Sequence, residues 1–423
     1  MLRVGIIGVG TVGASVANIL KENSDIIEAR CGKKIVPVMG IVRDLHRNRG
    51  VDITLSDNID DVLESDDIDV VIELMGGVNE PFKVVKRALQ NGKAVVTANK
   101  ALLAYHRYEL QDIAGSVPLG FEASVAGGIP IIKALREGLG ANHIEAIKGI
   151  MNGTCNFILT RMMNENVEFK DVLDEAQKLG YAEADPTFDV GGFDAAHKLL
   201  ILASIAYGIH ANPEDILIEG IENINSEDIF FAKEFGYNIK HLTIAKKCAN
   251  KKVELRAHTA LIPSSQMLAK VDDVMNGISV IGDRVGETMY YGAGAGGEAT
   301  ASAVIADLID IAVGQSSPML GFKRDLEGGG FTLLSSDEIE TKYYMRVKVF
   351  DEIGVLTKIT SILGDFGISV NSFLQKPDFK DKSCATLLFS THMSKEINIQ
   401  NAMKELEKLP ACKEKPVMIR IED

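Results

Sequence analysis

The sequence predicts an α/β protein built from three parts. The first is a Rossmann-type dinucleotide-binding domain, the second an α+β domain, and the third a C-terminal βαββαβ module. Three observations predict this arrangement: a glycine motif between a strand and a helix at residues 8–13, a carboxylate-rich loop leading into an apolar helix at 181–198, and a Gly/Ser/Pro-rich stretch before a tail of alternating strands and helices.

Length, composition and charge limit the class of protein. The chain has 423 residues, of which 46% are hydrophobic and 25% charged, as expected of two or three globular domains. A formal charge of −14 argues against nucleic acid or an anionic membrane as the main partner. Five scattered cysteines without a C-x-x-C pair indicate a reducing compartment and no structural zinc. No signal peptide or spanning apolar run is recognisable, so we predict a cytoplasmic location.

The first motif has the context that dinucleotide binding requires. Leu2 to Ile7 is an apolar strand, Gly8-Val9-Gly10-Thr11-Val12-Gly13 follows, and a helix runs to about Lys21. In G-x-G-x-x-G the glycines allow a tight turn, close approach to a pyrophosphate, and packing of the helix on the strand. The helix N-terminus supplies free N–H groups for the anion.

The end of the next strand bears on the choice of cofactor. Ile35 to Val42 is followed by Arg43 and then Asp44. An acidic residue at the strand tip favours NAD, whereas an arginine can accommodate the 2′-phosphate of NADP. Because the arginine comes first, we predict NADP, with NAD possible; a solvated loop residue is the alternative for Arg43.

Further strands should bring more residues to the same edge. Asp69–Leu74 precedes Gly76, and Ala94–Thr97 precedes Ala98 and Lys100. Ligands of open parallel sheets lie beyond the carboxyl ends of the strands, so these residues are predicted to converge with the glycine loop.

A predicted strand at Pro118–Ala123 carries Glu122 near its end, before a glycine turn that opens a helix ending near Gly138. A carboxylate beside turn carbonyls can hold a hard cation through oxygen ligands. A helix-capping acid is the alternative.

The second domain contains the stretch with the most chemistry. A helix ending at Gly180 leads into Y-A-E-A-D-P-T-F-D-V-G-G-F-D-A-A-H-K, and Pro186 and the glycine pair predict an irregular middle. Asp194 and Lys198 stand four residues apart at the start of an apolar helix that Gly208 ends. Because that helix is too apolar for a surface helix, Lys198 should enter a partly dry environment. An exposed Asp–Lys pair on a solvated loop is the alternative.

A linker at 321–342 should separate a small domain at 343–423. Its strands near 343–349, 368–375, 384–391 and 417–421 and helices near 356–366 and 395–408 give the order β-α-β-β-α-β. We place the dinucleotide-binding domain at 1–134 plus about 296–320, and the second domain at 135–295.

Several motifs together resemble one family. Residues 1–320 resemble homoserine dehydrogenase through G-V-G-T-V-G at 8–13, T-A-N-K-A at 97–101, E-A-S-V-A-G-G-I-P at 122–130, N-G-T-C-N-F-I-L-T at 152–160, the 181–198 stretch, and G-A-G-A-G-G-E-A-T-A-S-A-V at 292–304. Residues 343–423 resemble an ACT domain, a regulatory amino-acid-binding module.

The resemblance implies NAD(P)-dependent interconversion of L-homoserine and L-aspartate 4-semialdehyde in threonine, methionine and isoleucine biosynthesis. It implies roles for the following residues: catalysis by Lys198, Lys100 and Asp194; substrate binding by Glu183, Asp189 and Asp194; cofactor binding by Gly8, Val9, Gly10, Thr11, Val12, Gly13, Arg43, Gly76, Ala98, Lys100 and Gly297; and a structural sodium ion at Glu122, Val125, Gly127 and Ile129. ACT domains pair, so we expect a homodimer or homotetramer, with a threonine effector near Asp351, Gly354 and Asn371; an oligomerisation module that binds nothing is the alternative.

Two other functions compete with this reading. A semialdehyde dehydrogenase needs a cysteine nucleophile, and Cys155 is the only candidate in a motif, without a recognisable partner base. An amino-acid-sensing protein with an inactive dehydrogenase domain is the alternative from another class. The intact Glu183, Asp194 and Lys198 argue against it.

Overall fold

The computed structural model describes residues 1–315, 317–324, 326, 330–377, 381 and 383–422. Its strands are β1 (Leu2–Ile7), β2 (Ile35–Ile41), β3 (Thr54–Ser56), β4 (Val70–Glu73), β5 (Ala94–Thr97), β6 (Leu119–Gly120), β7 (Ile144–Ile150), β8 (Leu217–Ile218), β9 (Tyr237–Lys247), β10 (Lys252–Pro263), β11 (Met275–Gly282), β12 (Gly286–Ala293), β13 (Thr332–Leu333), β14 (Glu340–Phe350), β15 (Val370–Pro377), β16 (Cys384–Thr391), β17 (Ser394–Lys395) and β18 (Val417–Ile421).

The α-helices alternate with these strands. They are α1 (Thr11–Glu22), α2 (Ser24–Cys31), α3 (Asp60–Leu63), α4 (Asn79–Gln90), α5 (Lys100–Ala114), α6 (Ile131–Lys133), α7 (Gly153–Glu165), α8 (Phe169–Lys178), α9 (Thr187–Val190), α10 (Phe193–Tyr207), α11 (Ser226–Glu234), α12 (Gly297–Val313), α13 (Val355–Asp365) and α14 (Glu396–Glu407). Within the described residues, no helix is both long and apolar enough to cross a membrane.

The chain divides into two compact units. The first comprises 1–153, 194–215 and 274–332, and the second 154–193, 216–273 and 333–423. The linker predicted at 321–342 includes residues 325 and 327–329, which lie outside the described residues; its described part contains β13 and a 3₁₀ turn at Ser336–Glu338.

The first unit is organised on a parallel sheet in the order β3-β2-β1-β4-β5-β6. Val4 and Ile6 of β1 share an apolar core with residues of α1, α2 and α12. Gly5, between them, faces the opposite side of the sheet, where a Cβ would lie 2.6 Å from a methyl group of Val62 in α3. Helices on both faces and a strand order that reverses beside β1 are the features of a Rossmann-type sheet.

The first unit also contains an antiparallel group of strands. β11 pairs with β7 on one side and with β12 on the other. β12 ends at Ala293, four residues before α12 begins, and α12 returns to the core of the parallel sheet. The chain therefore comes back to the glycine loop after more than 270 residues.

The second unit is built on the antiparallel hairpin β9–β10. The tail joins this hairpin directly, because β18 pairs in parallel with β10, Ala260 opposite Arg420. From β18 the order continues β14-β16-β15, all antiparallel. The tail therefore has the predicted β-α-β-β-α-β order, but its sheet is not isolated: it continues into the hairpin.

Each face of the tail sheet has its own partner. Tyr343, Met345 and Val347 of β14 pack with α13 and α14 in one apolar core. On the opposite face, Tyr344 and Arg346 bond to Asp228 of α11, at 2.7 and 2.9 Å. Since α11 precedes the hairpin in sequence, the second face of the tail is covered by the same chain.

Most predicted elements are confirmed within a few residues, and the differences have local causes. β9 and β12 were not predicted, because β9 is buried along most of its length and shows no alternation, and β12 ends in the glycine run. The strand predicted at 118–123 is wrong beyond Gly120, since Glu122–Ser124 forms a 3₁₀ turn. Pro186 does not keep the loop irregular; it precedes the one-turn helix α9.

Candidate active site

The glycine loop after β1 has the shape that a dinucleotide needs. Gly8 has a φ of +103°, and a Cβ there would lie 2.6 Å from the carbonyl oxygen of Leu74. A Cβ on Gly13 would lie 2.4 Å from the carbonyl oxygen of Gly8. Gly10, the N-cap of α1, has no atom within 4 Å of its Cβ position. The open space lies where backbone N–H groups and the helix dipole favour a pyrophosphate, so the residues fit an NAD(P) cofactor.

The other predicted cofactor residues follow neighbouring parallel strands. Arg43 is exposed two residues after β2, Gly76 follows β4 with a φ of +77°, and Ala98 follows β5. A Cβ on Gly297 would lie 2.8 Å from the hydroxyl of Ser15 and 3.0 Å from the methyl group of Thr11. The parallel order β2-β1-β4-β5 brings these strand ends to one edge, and Gly297 brings the N-terminus of α12 against α1.

Arg49, which is not among the predicted cofactor residues, contacts the glycine loop. Its guanidinium donates to the carbonyl oxygen of Val9 at 2.7 Å. An arginine of the segment after β2 therefore lies against the glycine loop. The sequence signal was the basic run R-D-L-H-R-N-R that begins at Arg43.

Glu73, also missed, organises the edge where β4 and β5 end. Its buried carboxylate accepts from the Thr97 hydroxyl at 2.6 Å and from the Met75 amide at 2.7 Å. Thr97 in turn accepts from the amide of Asn99, whose side chain caps α5 by accepting from the Leu102 amide. Burial raises the pKa of Glu73, although these bonds oppose the shift. The network fixes the start of α5, where Lys100 is the first residue.

Lys100, Asp194 and Lys198 come together in the first unit. The Lys198 ammonium lies 2.8 Å from one carboxylate oxygen of Asp194, and the Lys100 ammonium lies 2.9 Å from the other. The Asp194 side chain is 4% exposed, and that of Lys100 is 36% exposed. The predicted Asp194–Lys198 pair is therefore buried, as expected from the apolar helix, and the surface alternative is wrong.

The two residues that follow β7 supply two more partners. Lys198 donates to the main-chain oxygen of Met151 at 2.7 Å, and the Asn152 amide donates to Asp194 at 2.9 Å. Asn152 opens the N-G-T-C-N motif but is not among the predicted site residues. These contacts fix both the ammonium and the carboxylate at the end of β7.

The charge balance of this cluster is unusual for a buried site. Burial alone would raise the pKa of the Asp194 carboxyl, but Lys198 and Lys100 outweigh it and hold that pKa well below its usual range. Two ammonium groups thus share one carboxylate. An excess positive charge in a partly dry place can stabilise an oxygen that becomes negative during a reaction.

The carboxylate-rich loop lies in the second unit. Glu183 is exposed, and its main-chain oxygen accepts from the Gln177 side chain at 3.0 Å. The main-chain oxygen of Asp189 accepts from the Cys155 thiol at 3.2 Å, and Thr154 donates to the Tyr181 main-chain oxygen at 2.6 Å. Cys155 therefore holds the loop backbone.

Glu122 lies in the 3₁₀ turn rather than at a strand end. It is buried and accepts from the amides of Ile132 and Lys133, both at 2.9 Å. Its own amide donates to Asp307, whose pKa burial raises to about 7. Burial also raises the pKa of Glu122. The capping alternative is thus partly right, because the carboxylate bonds the first amides of the following helix.

The turn after Glu122 contains two consecutive residues with left-handed backbone. Ala126 and Gly127 have φ values of +52° and +29°, and Val125 and Ile129 are fully buried. The described residues contain no cluster of three or more His, Cys, Asp or Glu side chains that could hold a metal ion. A buried carboxylate beside main-chain oxygens nevertheless fits a hard monovalent cation.

The predicted effector residues do not all come together within one chain. Asp351 accepts from Gln375 near the end of β15 at 3.2 Å, and Gly354 is the N-cap of α13. Asn371 lies at the other end of β15, where it donates to the Ser390 hydroxyl at 3.4 Å. At ~3.3 Å per residue, four strand residues separate these positions by roughly 13 Å.

Family models match nearly the whole chain. The model for homoserine dehydrogenase matches residues 130–309, the model for the NAD binding domain of homoserine dehydrogenase matches 8–117, and the ACT domain model matches 343–411.

Individual proteins match over the full length. A homoserine dehydrogenase of Helicobacter pylori is 54% identical over 422 residues, covering 100% of this chain and 99% of its own length. The crystal structure of a homoserine dehydrogenase from Thiobacillus denitrificans has a TM-score of 0.93 at 44% identity and covers 100% of this chain and 98% of its own. A hyperthermophilic archaeal homoserine dehydrogenase solved in complex with NADPH has a TM-score of 0.63 at 27% identity, over 75% of this chain and 99% of its own.

Proposed function

The chain belongs to the homoserine dehydrogenase family of NAD(P)-dependent oxidoreductases, and from that premise we propose that Lys198, Lys100 and Asp194 are its catalytic groups. One observation carries the proposal: both ammonium groups contact the buried Asp194 carboxylate, at 2.8 and 2.9 Å. The reaction interconverts L-homoserine and L-aspartate 4-semialdehyde.

The chemistry needs a hydride and a proton. The bound nicotinamide cofactor supplies or accepts the hydride. In the direction of reduction, Lys198 gives its proton to the alkoxide oxygen as negative charge develops there, and Lys100 stabilises that charge. In the direction of oxidation, Lys198 takes the hydroxyl proton. Asp194 orients both ammonium groups, and Asn152 and the Met151 carbonyl keep Asp194 and Lys198 in position.

Glu183 and Asp189 hold the amino group of the substrate in this proposal, with Asp194 as a further contact. Their charge suits an ammonium group, and the backbone bonds of Cys155 and Gln177 support the loop that carries them. Cys155 has a structural role, which disfavours a thiol nucleophile and with it the semialdehyde dehydrogenase reading.

We propose NADP as the preferred cofactor, with NAD possible. Arg43 and Arg49 after β2 offer positive charge for a 2′-phosphate, and the archaeal relative was solved with NADPH. Gly8–Gly13, Gly76, Ala98, Lys100 and Gly297 would line the remainder of the cofactor.

A structural sodium ion is proposed at the turn after Glu122. The Glu122 carboxylate and the main-chain oxygens of Val125, Gly127 and Ile129 would hold it. The left-handed backbone at Ala126 and Gly127 supports this assignment.

For the tail we propose regulation by threonine near Asp351, Gly354 and Asn371. Because Asn371 lies about 13 Å along β15 from Gln375, the residue that bonds Asp351, a complete pocket would take Asp351 and Gly354 from one copy and Asn371 from another. This agrees with the expected homodimer or homotetramer. The domain boundaries at 134, 295, 320 and 343 and a cytoplasmic location remain predictions.

The test is the initial rate of L-homoserine oxidation, followed at the nicotinamide absorbance with NADP⁺ and NAD⁺ in parallel, each with and without L-threonine. We expect turnover with a lower KM for NADP⁺, and inhibition by threonine. No turnover in folded protein that still binds NADPH would favour the sensor reading. Turnover without any response to threonine would remove only the effector assignment.

A further inference from the structure

The carboxylate-rich loop rests on a short segment of the second unit, Glu219 to Ile221. The amide of Ile221 donates to the Val190 carbonyl at 3.0 Å. A Cβ on Gly220 would lie 2.4 Å from that same carbonyl oxygen, and one on Gly192 would lie 3.2 Å from the carbonyl oxygen of Glu219. The backbone of the loop at 190–192 therefore follows the position of the 219–221 segment, and Asp189 precedes that contact by one residue.

Hydrogen bonds fix the same segment to the β9–β10 hairpin. The Glu219 amide donates to the Ala257 carbonyl at 2.9 Å, and the Thr259 hydroxyl donates to the Gly220 carbonyl at 3.1 Å. His241 of β9 lies 3.1 Å from the Glu219 carbonyl. Hydrogen bonds therefore join the segment to the hairpin on one side and to the loop on the other, and the Glu219 side chain extends toward the tail.

The Glu219 carboxylate is held by the tail. Arg420 of β18 donates to both of its oxygens, at 2.7 and 2.9 Å. The same guanidinium donates twice to Glu396 of α14, at 2.6 and 2.9 Å, and the Tyr343 hydroxyl donates to Glu396 at 2.8 Å. Arg420 is fully buried. A planar fork with two partners has one orientation, so it transmits position better than a flexible lysine could.

We infer that Arg420 and Glu219 form a positioning pair that connects the ACT-like tail to the carboxylate-rich loop and so sets the affinity of the enzyme for its amino-acid substrate. A displacement of β18 or α14 moves Arg420, then Glu219, and then the loop backbone at Val190. The inference rests on the proposed role of that loop in holding the substrate amino group.

The Arg420–Glu219 pair could stabilise the fold without affecting the substrate affinity. A second glutamate, Glu227, provides the control that separates a positioning role from a purely structural one. Glu227 is also a glutamate of the region before the hairpin, lies 3.9 Å from the buried Arg346 of the tail, and accepts from Thr386 at 2.8 Å. The two glutamate side chains are similarly exposed, 28% for Glu227 and 37% for Glu219. No contact of Glu227 with the loop is recorded among the described residues.

The experiment compares Glu219→Gln with Glu227→Gln in the full chain. We expect Glu219→Gln to raise KM for L-homoserine roughly five- to thirty-fold, the range of a moderate coupling between sites, with KM for NADP⁺ changed less than about twofold. Glu227→Gln should leave both constants near those of the unchanged enzyme. A purely structural pair would lower the amount of active enzyme without this split between the two substrates.

A second variant reaches the loop without altering a charge. Gly220→Ala places a methyl group against the Val190 carbonyl and should raise KM for L-homoserine in the same direction. Gly364→Ala in α13, where the Cβ position meets no atom within 4 Å, is its control. If Glu219→Gln fails to fold, the comparison of Gly220→Ala with Gly364→Ala still tests whether the segment controls KM for L-homoserine.

The outcomes distinguish the inference from its premise. Asp189→Asn tests the premise, and an unchanged KM for L-homoserine in that variant would remove the substrate role of the loop. If Asp189→Asn raises that KM while Glu219→Gln and Gly220→Ala do not, the inference is overturned and the proposed function stands. Equal effects of Glu219→Gln and Glu227→Gln, or loss of folding in both Glu219→Gln and Gly220→Ala, would also overturn it.

Discussion

The two units each bury a cluster of charges, and the clusters have opposite compositions. In the first unit, two lysines share the single carboxylate of Asp194. In the second, the single guanidinium of Arg420 is shared by Glu219 and Glu396. The lysine cluster has surplus positive charge and one partly exposed ammonium group. The arginine cluster uses a group that does not lose its proton and is fully enclosed. Surplus charge on a titratable, accessible group suits the catalytic role proposed for the lysine cluster, whereas an enclosed guanidinium between two carboxylates suits the positioning role inferred for Arg420.

Among the residues of the two clusters, Lys198 should have the greatest effect on kcat. Replacing it with alanine should lower kcat about 10²- to 10⁴-fold, because the proposed proton donor is lost, while NADPH binding is retained. Lys93, which donates to the carbonyls of Ser65 and Ile68 before β5 begins, is the matched control. Initial rates and NADPH titration check both variants. Loss of NADPH affinity without loss of kcat would contradict the assignment.

Arg420→Met should break the second cluster. It leaves Glu219 and Glu396 without their shared cation, and removing one partner of a buried pair costs about 3–5 kcal/mol of unfolding free energy. Arg87→Met is the control, since Arg87 also joins two carboxylates, Asp60 and Glu64, but its side chain is 41% exposed; it should cost much less stability, because solvent screens the pair. Urea unfolding measures both, and equal losses would show that enclosure does not matter.

Asn152→Ala tests how much the support of the Asp194 carboxylate contributes to the first cluster. The lost bond to the Asp194 carboxylate corresponds to about 1.5–3 kcal/mol for a charged partner, so kcat should fall roughly ten- to a hundred-fold. Asn152→Asp is the informative second variant, because a second carboxylate would offset the surplus positive charge. If either variant changed stability alone, the residue would only support the fold.

His258 gives the smallest effect, through pH. It is buried beside the second cluster; its Nδ1–H donates to the Thr259 carbonyl, and its Nε2 accepts from Arg256. Burial, with Arg420 and Arg256 nearby, lowers its pKa well below the usual value. Below about pH 6.5 the unfolded chain binds a proton that the folded chain does not, so stability falls with falling pH, by roughly 1 kcal/mol at one pH unit below that value.

His258→Asn should remove that part of the pH dependence. The unfolding free energies of the unchanged protein and of His258→Asn, each at pH 7.5 and 5.5, measure it. Between pH 7.5 and pH 5.5 the unchanged protein should lose more stability than the variant. An identical pH dependence in both proteins would show that His258 takes up its proton in the folded state.

Local patterns predicted the fold well, and pairings distant in sequence escaped them. The glycine loop, α10 and the tail elements were predicted because each is defined by a few neighbouring residues. The parallel pairing of β18 with β10 and the Arg420–Glu219 bond join residues 160 and 201 positions apart. No periodicity within a short window carries that information.

The same reason divides the candidate site. Asp194 and Lys198 were found because they lie four apart on one helix. Asn152 and Glu73 were missed because an asparagine or a glutamate at a strand end is ordinary until its partner is known. Glu122 was placed on a strand because the apolar run before it continues past Gly120, where the chain in fact turns to reach Asp307.

The parallel pairing of β10 with β18 also means that β10 is synthesised long before its partner strand. Ala260 pairs with Arg420, so that part of the edge of β10 stays unpaired while the ribosome adds another 160 residues, roughly ten to thirty seconds at about 5–20 residues per second. During that interval an apolar strand edge is available to other chains. We therefore expect premature termination within the tail to send the nascent protein toward aggregation or degradation rather than to release an unregulated enzyme.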